Sequence, residues 1–269
     1  MRSKDGRTTK DGIRIYQDAD FAGMHVAGRL AAQILDDIAP HVFPGQTTGE
    51  IDRLITNMVD EAGAKSATIG YKGYQHASCI SVNHVVCHGI PGDKKLKDGD
   101  ILNIDVTVIV DGWFGDTSRM FVAGKLPRKA ERLIQVTHDS LMKGIEAVKP
   151  GNTFGDIGHA IQSYAESQRM SVVRDFCGHG LGLVFHAPPN VLHYGRPGTG
   201  PKLEEGMFFT IEPMINLGRP ETKILADEWT AVTRDKSLSA QFEHSIGVTS
   251  QGCEIFTLSP GGLFHPTYG

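Results

Sequence analysis

The sequence predicts an α+β fold: one compact domain with an internal repeat. Three observations lead there. Segments 95–105 and 202–212 each read Lys-Leu, an acidic stretch, Gly, an apolar strand and one carboxylate, and they lie 107 positions apart. Segments 44–51 and 150–157 each read Pro-Gly-x-Thr-x-Gly, an acid and Ile, and lie 106 apart. Between these markers, helices mix with strands that are mostly linked as hairpins, which argues against a doubly wound parallel sheet. Two matches in one register imply two half-domains, about 13–123 and 124–258.

The first ten residues are basic and polar, with no apolar stretch of signal-peptide type. Residues 1–12 therefore read as a flexible arm ahead of a single catalytic domain over 13–269. Phe21, Met24, Ala27, Leu30, Ala31, Ile34, Leu35 and Ile38 recur at helical spacing and predict a helix over 18–42. Pro44-Gly45 ends it. Thr47 with Glu50 is a capping-box pattern, and it opens a helix through Ile51, Leu54, Ile55, Met58 and Val59 that closes near Gly63. The second half repeats the plan: a helix over 128–148, a break at Pro150-Gly151, and Thr153 with Asp156 opening 157–170. Strands are expected over 79–82, 101–110, 113–123, 208–215, 228–232, 241–249 and 253–258.

Composition narrows the function. The 269 residues are 40% hydrophobic and 22% charged, with a net charge of −4. Without a basic excess, nucleic acid is not an expected partner. No apolar run approaches membrane-spanning length, so no membrane partner is expected. Cys79, Cys87, Cys177 and Cys253 form no Cys-x-x-Cys pair, which argues against a structural zinc site. A disulfide framework is not expected in a chain of this size without a signal peptide, so the protein reads as reduced and cytoplasmic.

The repeat has a chemical consequence. Asp105 and Glu212 end equivalent strands, and pseudo-twofold packing would bring both to one central site. Facing carboxylates repel unless a cation neutralises them, which points to a metal enzyme. Asp111-Gly112 is a two-residue hairpin signal that pairs 110 with 113 and puts 105 opposite 118. Asp105 and Asp116 then share one face as diagonal neighbours, within reach of one cation. His179 lies between Gly178 and Gly180, where a tight turn would present the imidazole; such a histidine is more often structural than a ligand. The Gly-x-Gly-x-Gly of 178–182 lacks dinucleotide-loop spacing. Glu212 precedes Pro213 at a strand end, and Glu243 alternates with His244, so only one of that pair can point at the site. Each glutamate alone could equally be a satisfied surface acid.

Together these stretches resemble the type I methionine aminopeptidases. The match is carried by Gly70-Tyr71-Lys72-Gly73-Tyr74, by Val85 to Pro91 (Val-Val-Cys-His-Gly-Ile-Pro), by Asn103-Ile104-Asp105-Val106 and by Gly115-Asp116-Thr117-Ser118. It continues through Gly178-His179-Gly180, Phe185-His186, Thr210 to Met214 and Phe242-Glu243-His244, in the family's order over about 13–258. The resemblance implies a pita-bread fold, two pseudo-symmetric αβ halves around a curved antiparallel sheet. It implies that Asp105, Asp116, His179, Glu212 and Glu243 hold two divalent ions. Asp116 and Glu243 would bridge them, Asp105 would chelate one, and His179 and Glu212 would bind the other. Four carboxylates then balance two dications, with His179 neutral. Cobalt, iron, manganese or zinc would suit the donors.

The implied reaction is removal of the N-terminal initiator methionine from peptides and nascent proteins, preferably ahead of a small second residue. A metal-activated water would attack the first peptide bond, with Glu212 moving its proton and His88 and His186 stabilising the tetrahedral intermediate. The methionine pocket would be formed by Tyr71, Tyr74, Cys79, Phe185, Met214 and Trp229, with sulfur–aromatic contacts. Core packing is the competing reading for Phe185 and Met214. His193, outside any such motif, reads as a buried, satisfied ring. A monomer with transient ribosome contact is expected.

Three sites depart from the family's pattern. Lys72 stands where a histidine is frequent, Ala187-Pro188 where Glu-Glu is common, and His84 where many members have Glu. They bear on the preference for the second and third peptide residues. Neither the long insertion of type II enzymes nor an N-terminal zinc-binding extension is expected. Two rivals remain on the residues alone: a proline dipeptidase or X-Pro aminopeptidase of the same fold, and a non-catalytic protein reusing it.

Overall fold

The structure, a computed structural model, describes residues 7–268. The arm expected over 1–12 lies outside the described residues as far as residue 6. From residue 7 the backbone folds back on itself, with Thr9 N–H donating to Ile13 O at 2.8 Å and Ile15 N–H to Arg7 O at 2.8 Å.

The first half contains α1 (Asp18–Ile38), α2 (Thr48–Glu61), β1 (Lys65–Ser66), β2 (Ser78–Val82), β3 (Val85–Cys87), β4 (Asp100–Val110) and β5 (Trp113–Ala123). The second contains α3 (Arg128–Glu146), α4 (Phe154–Ser167), β6 (Ser171–Val172), β7 (Gly178–Gly180), β8 (Ala187–Val191), β9 (Phe208–Ile211) and β10 (Met214–Asn216). It continues with β11 (Thr222–Ile224), β12 (Ala231–Thr233), β13 (Ser239–Gln241), β14 (His244–Val248) and β15 (Cys253–Ile255). Strand pairing among the described residues is antiparallel throughout. The sheet orders are β1-β4-β2 with β5 on β4, β13-β10-β6, β11-β12-β3 and β15-β14-β9-β7-β8.

The two repeated motifs touch each other in the same way in each half. Thr47 bridges Lys95, and Thr153 bridges Lys202. Gly45 N–H donates to Leu96 O at 2.8 Å, as Gly151 N–H does to Leu203 O at 3.2 Å. Both capping boxes form: Glu50 and Asp156 each accept from the N-cap backbone and hydroxyl. These bonds satisfy N–H groups that a helix start leaves without partners. A Pro-Gly-x-Thr motif thus ends one helix, caps the next and pins the strand that leads to an acid.

Each half has its own core. Ile34, Leu35, Ile51, Ile55, Ile104 and Phe121 are fully buried in one, and Leu133, Ile157, Ile161, Phe209, Ile211 and Ile246 in the other. A third cluster of Tyr16, Met24, Trp113, Phe208 and Phe256 draws on both halves. Helix α1 lies against β5 so closely that a Cβ on Gly115 would meet the Ala27 carbonyl at 2.3 Å. Only glycine permits that approach.

Several expectations shift. The hairpin register is as expected: Val110 pairs with Trp113 and Asp105 with Ser118, and the turn residues Asp111 and Gly112 have φ of 49° and 85°. The strand expected over 208–215 is broken. Its parts β9 and β10 lie in different sheets, because Pro213 has no N–H to continue a ladder. The strand expected over 241–249 is likewise split at Phe242-Glu243, where the chain leaves β10 for β9. The turn expected around His179 is instead strand β7. Its glycines serve close packing, since a Cβ on Gly178 would meet Thr210 O at 2.3 Å and one on Gly180 would meet Pro188 O at 2.1 Å. The 18–42 helix ends at Ile38 and passes into a short 3₁₀ turn, Ala39–His41. The short strands β1, β3, β6, β7, β8 and β11 carry too little alternation to be seen in the sequence.

Candidate active site

One cavity of about 430 Å³ takes its walls from both halves. Its inner end holds Asp105, Asp116, His179, Glu212 and Glu243. The β4–β5 ladder supplies the two aspartates. Thr107 stands opposite Asp116, and its hydroxyl donates to Asp116 Oδ1 at 2.7 Å. Strand β7 supplies His179, the break after β9 supplies Glu212, and the break between β13 and β14 supplies Glu243. Each break leaves a backbone N–H outside its strand ladder. Glu243 N–H donates across the halves to Ser118 O at 3.0 Å, and Glu212 N–H donates to His193 Nε2 at 3.0 Å.

The acids crowd together. One ligand atom from each of Asp116, His179 and Glu243 lies within 4.8 Å of the others. His179 Nε2 is 3.4 Å from Asp116 Oδ2 and 3.8 Å from Glu212 Oε1. Asp116 and Glu243 are buried, at 4% and 2% exposure, while Asp105 and Glu212 keep some surface open to the cavity. Burial, then the charges of Asp116 and Glu212, hold Asp105 and Glu243 well above the usual carboxylate range. Burial also lifts Glu212 to about 7. Burial opposes protonation of His179, but the contact with Asp116 and the charge of Glu212 outweigh it and raise its pKa. Among the described lining residues, the only lysine or arginine is Lys72. A set of mutually repelling oxygen donors with one imidazole, and no protein cation among them, fits divalent metal ions.

Apart from Lys72, the rest of the cavity wall is largely aromatic and uncharged. Tyr74 packs on Trp229 at 4.9 Å between ring centres, and Tyr71 packs on Phe185 at 4.9 Å. Cys79 and Met214 complete the lining expected from the sequence. Met214 also packs with Val86, Val173 and Ala231, so it lies both in the core and on the cavity wall. His88 faces Phe176 and Trp229, and His186 lies 4.1 Å from the His179 ring. Burial lowers the pKa of His88. Burial, followed by the His179 charge, lowers His186 to about 4. Both rings are therefore neutral near pH 7.

Every site residue expected from the sequence lines this cavity. His193 does not: it is fully buried beneath Glu212, and its ring Nδ1 has no partner among the described residues. His244 also points away, pairing with Thr257 Oγ1 at 2.9 Å. His84 sits in the β2–β3 turn rather than at the rim, whereas Lys72 and Ala187 do line the cavity. Sequence reasoning missed Thr107, Thr210 and Gln241. Thr210 Oγ1 donates to Glu212 Oε1 at 2.7 Å, and Gln241 Nε2 donates to Glu212 Oε2 at 3.3 Å. Two of them carried a signal: each threonine lies two residues from an acid on the same strand, hence on the same face.

The sequence profile of metallopeptidase family M24 matches residues 22–250. The chain belongs to metallopeptidase family M24. It is 59% identical over 257 residues to the methionine aminopeptidase of Rickettsia prowazekii strain Madrid E, covering 95% of this chain and 99% of that one. A crystal structure of a methionine aminopeptidase from Rickettsia prowazekii superposes with a TM-score of 0.91 at 59% identity, covering 91% of this chain and all (100%) of the other. The prolidase of Pyrococcus horikoshii shares the fold alone: 20% identity and a TM-score of 0.72, with 90% of this chain but only 63% of that one covered. The M24 relationship accounts for the pita-bread architecture of the two halves. No helix among the described residues is long and apolar enough to cross a membrane.

Proposed function

We propose that this M24 peptidase removes N-terminal methionine from peptides and nascent proteins, preferably when the second residue is small. The observation that carries the reading is a single cavity in which a buried metal-ligand set adjoins a pocket walled by Tyr74, Cys79, Met214 and Trp229. A thioether suits such walls, because sulfur packs well against aromatic rings.

Asp105, Asp116, His179, Glu212 and Glu243 would hold two divalent ions, with cobalt, iron, manganese and zinc all suited to the donors. Such ions, when bound, supply Lewis acidity and lower the pKa of a coordinated water. The protein's own groups do the rest. Thr107, Thr210 and Gln241 fix the carboxylates of Asp116 and Glu212 with hydrogen bonds, so the ligands are oriented before substrate arrives. Glu212, held by neutral donors and beside His179, can accept a proton from the attacking water and pass it to the leaving amine. His88 and His186 are neutral, so each can donate one N–H to oxygen or nitrogen at the scissile amide. Tyr74 is held by its hydroxyl bond to Ser78 O at 2.9 Å, which keeps the pocket wall rigid. The family resemblance adds the expectation of a monomer working in the cytoplasm on chains emerging from the ribosome.

The test is hydrolysis of Met-Ala-Ser, Leu-Ala-Ser and Pro-Ala-Ser by apo protein reloaded with Mn²⁺ or Co²⁺. Release of methionine alone, lost in Glu212→Ala, supports the reading. Cleavage of X-Pro peptides in its place would shift it to a proline peptidase. Two bound ions with no turnover would leave a binding protein.

A further inference from the structure

The cavity's inner end would be electrically neutral once its four acids hold two dications, yet its mouth carries one positive charge. That charge is Lys72. It lies in the 3₁₀ turn Tyr71–Gly73 with φ of 47°, a left-handed conformation that a lysine adopts at a cost. Hydrogen bonds hold the turn: Tyr74 N–H donates to Tyr71 O at 2.9 Å, and Gly70 N–H donates to Tyr74 O at 2.7 Å. The backbone therefore fixes where the side chain starts. The ammonium stands 5.3 Å from the centre of the Tyr71 ring, and that ring stacks on His186 at 5.1 Å. No carboxylate pairs with Lys72 among the described residues. Ala187 and Asn190, which also line the cavity, are neutral.

The same path gives the reach. His186 adjoins the acid cluster where the scissile bond would sit, and from it the ammonium is two steps of 5.1 Å and 5.3 Å away. The two steps bound the straight-line distance from above, and an extended peptide advances about 3.3 Å per residue, so about three residues or fewer reach the ammonium. We propose that Lys72 is a specificity-determining residue that favours substrates with an acidic side chain at the third peptide position. The inference rests on the methionine-aminopeptidase reading above. It deepens that reading by naming a substrate class: peptides that begin Met, small residue, Asp or Glu.

The effect is that of a solvent-exposed charge. It should be about two- to five-fold in kcat/KM for each unit of charge, and it should shrink in high salt. The experiment compares Met-Ala-Glu-Gly, Met-Ala-Gln-Gly and Met-Ala-Lys-Gly as C-terminal amides, so that the third residue carries the only variable charge. The Mn²⁺-loaded native chain should rank them Glu, Gln, Lys. Lys72→Gln should flatten the series, and Lys72→Glu should reverse it. Ratios taken within one variant cancel any change in folding or metal loading. An unchanged ranking in Lys72→Glu, or a flat native series, overturns the proposal while methionine release from the Gln peptide still stands for the parent reading. No methionine release from any of the three by the native chain takes down both.

Discussion

Thr107 and Asp116 face each other across the β4–β5 ladder, joined by a 2.7 Å bond from the threonine hydroxyl to Asp116 Oδ1. The bond leaves Asp116 Oδ2 turned towards His179. Partners of metal ligands typically change affinity about 10- to 100-fold when lost. Thr107→Val keeps the shape and the strand propensity but removes the donor. It should weaken Mn²⁺ binding to apo protein by that factor in calorimetry, with Thr107→Ser restoring most of it. Equal affinity in the valine variant would show that the hydroxyl only fills space.

His88 and His186 touch no residue of the acid cluster by hydrogen bond, so removing either should spare metal binding. His88→Ala and His186→Ala are expected to lose about 10²- to 10³-fold in kcat while retaining bound metal. Steady-state kinetics with metal analysis of the same samples separates these outcomes. A loss of metal in step with activity would move the histidines into the ligand set.

Trp229 is half-buried and packs on both Tyr74 and His88. Trp229→Ala opens the cavity at the proposed methionine pocket. Loss of apolar fit on this scale is worth about 1–3 kcal/mol, so kcat/KM for Met-Ala-Ser should fall about 10- to 200-fold. The fall should be smaller for bulkier first residues, which the competition between Met and Phe peptides would read.

Asp36 and Arg119 form a buried ion pair at 2.6 Å, with side chains 6% and 4% exposed. Ser259 Oγ donates to Asp36 Oδ1 at 2.8 Å, Gly261 N–H donates to Asp36 Oδ2 at 2.8 Å, and Arg119 also donates to Leu263 O at 2.6 Å. The pair thus ties α1, β5 and the C-terminal tail together. Asp36→Ala strands the guanidinium and should cost about 3–5 kcal/mol in denaturant unfolding. Asp36→Ala combined with Arg119→Met should recover much of that.

Burial holds His244 at about 3 in the folded chain, against about 6.5 when unfolded. The unfolded state therefore binds the extra proton first. The stability that goes with a neutral His244 is complete above about pH 6.5 and is lost progressively as pH falls towards about 3. His244→Leu should show a shallower decline in unfolding free energy across that window. An identical slope would place the acid sensitivity in other groups.

Much of the site was legible because strand chemistry is local. Asp111-Gly112 dictates a two-residue turn, and the turn dictates that Asp105 and Asp116 share a face. The repeated Pro-Gly-x-Thr and Lys-Leu motifs specify two alike halves, since each motif caps a helix and pins a strand within its own half. Side-chain alternation already separated Glu243 from His244. What the tertiary structure decided is the meeting of the halves. Whether Glu212 and Glu243 reach the aspartates depends on two strand breaks, each resolved by a partner outside the broken strand: His193 Nε2 in the same half for one backbone N–H and Ser118 O in the other half for the second. The glycines around His179 look like turn residues in sequence and are packing residues in space, because Thr210 O and Pro188 O press against them. Local backbone preference is written in neighbouring residues; the approach of acids from the two halves is set by contacts such as Glu243 N–H to Ser118 O, more than 100 positions apart, and a single sequence does not spell those out.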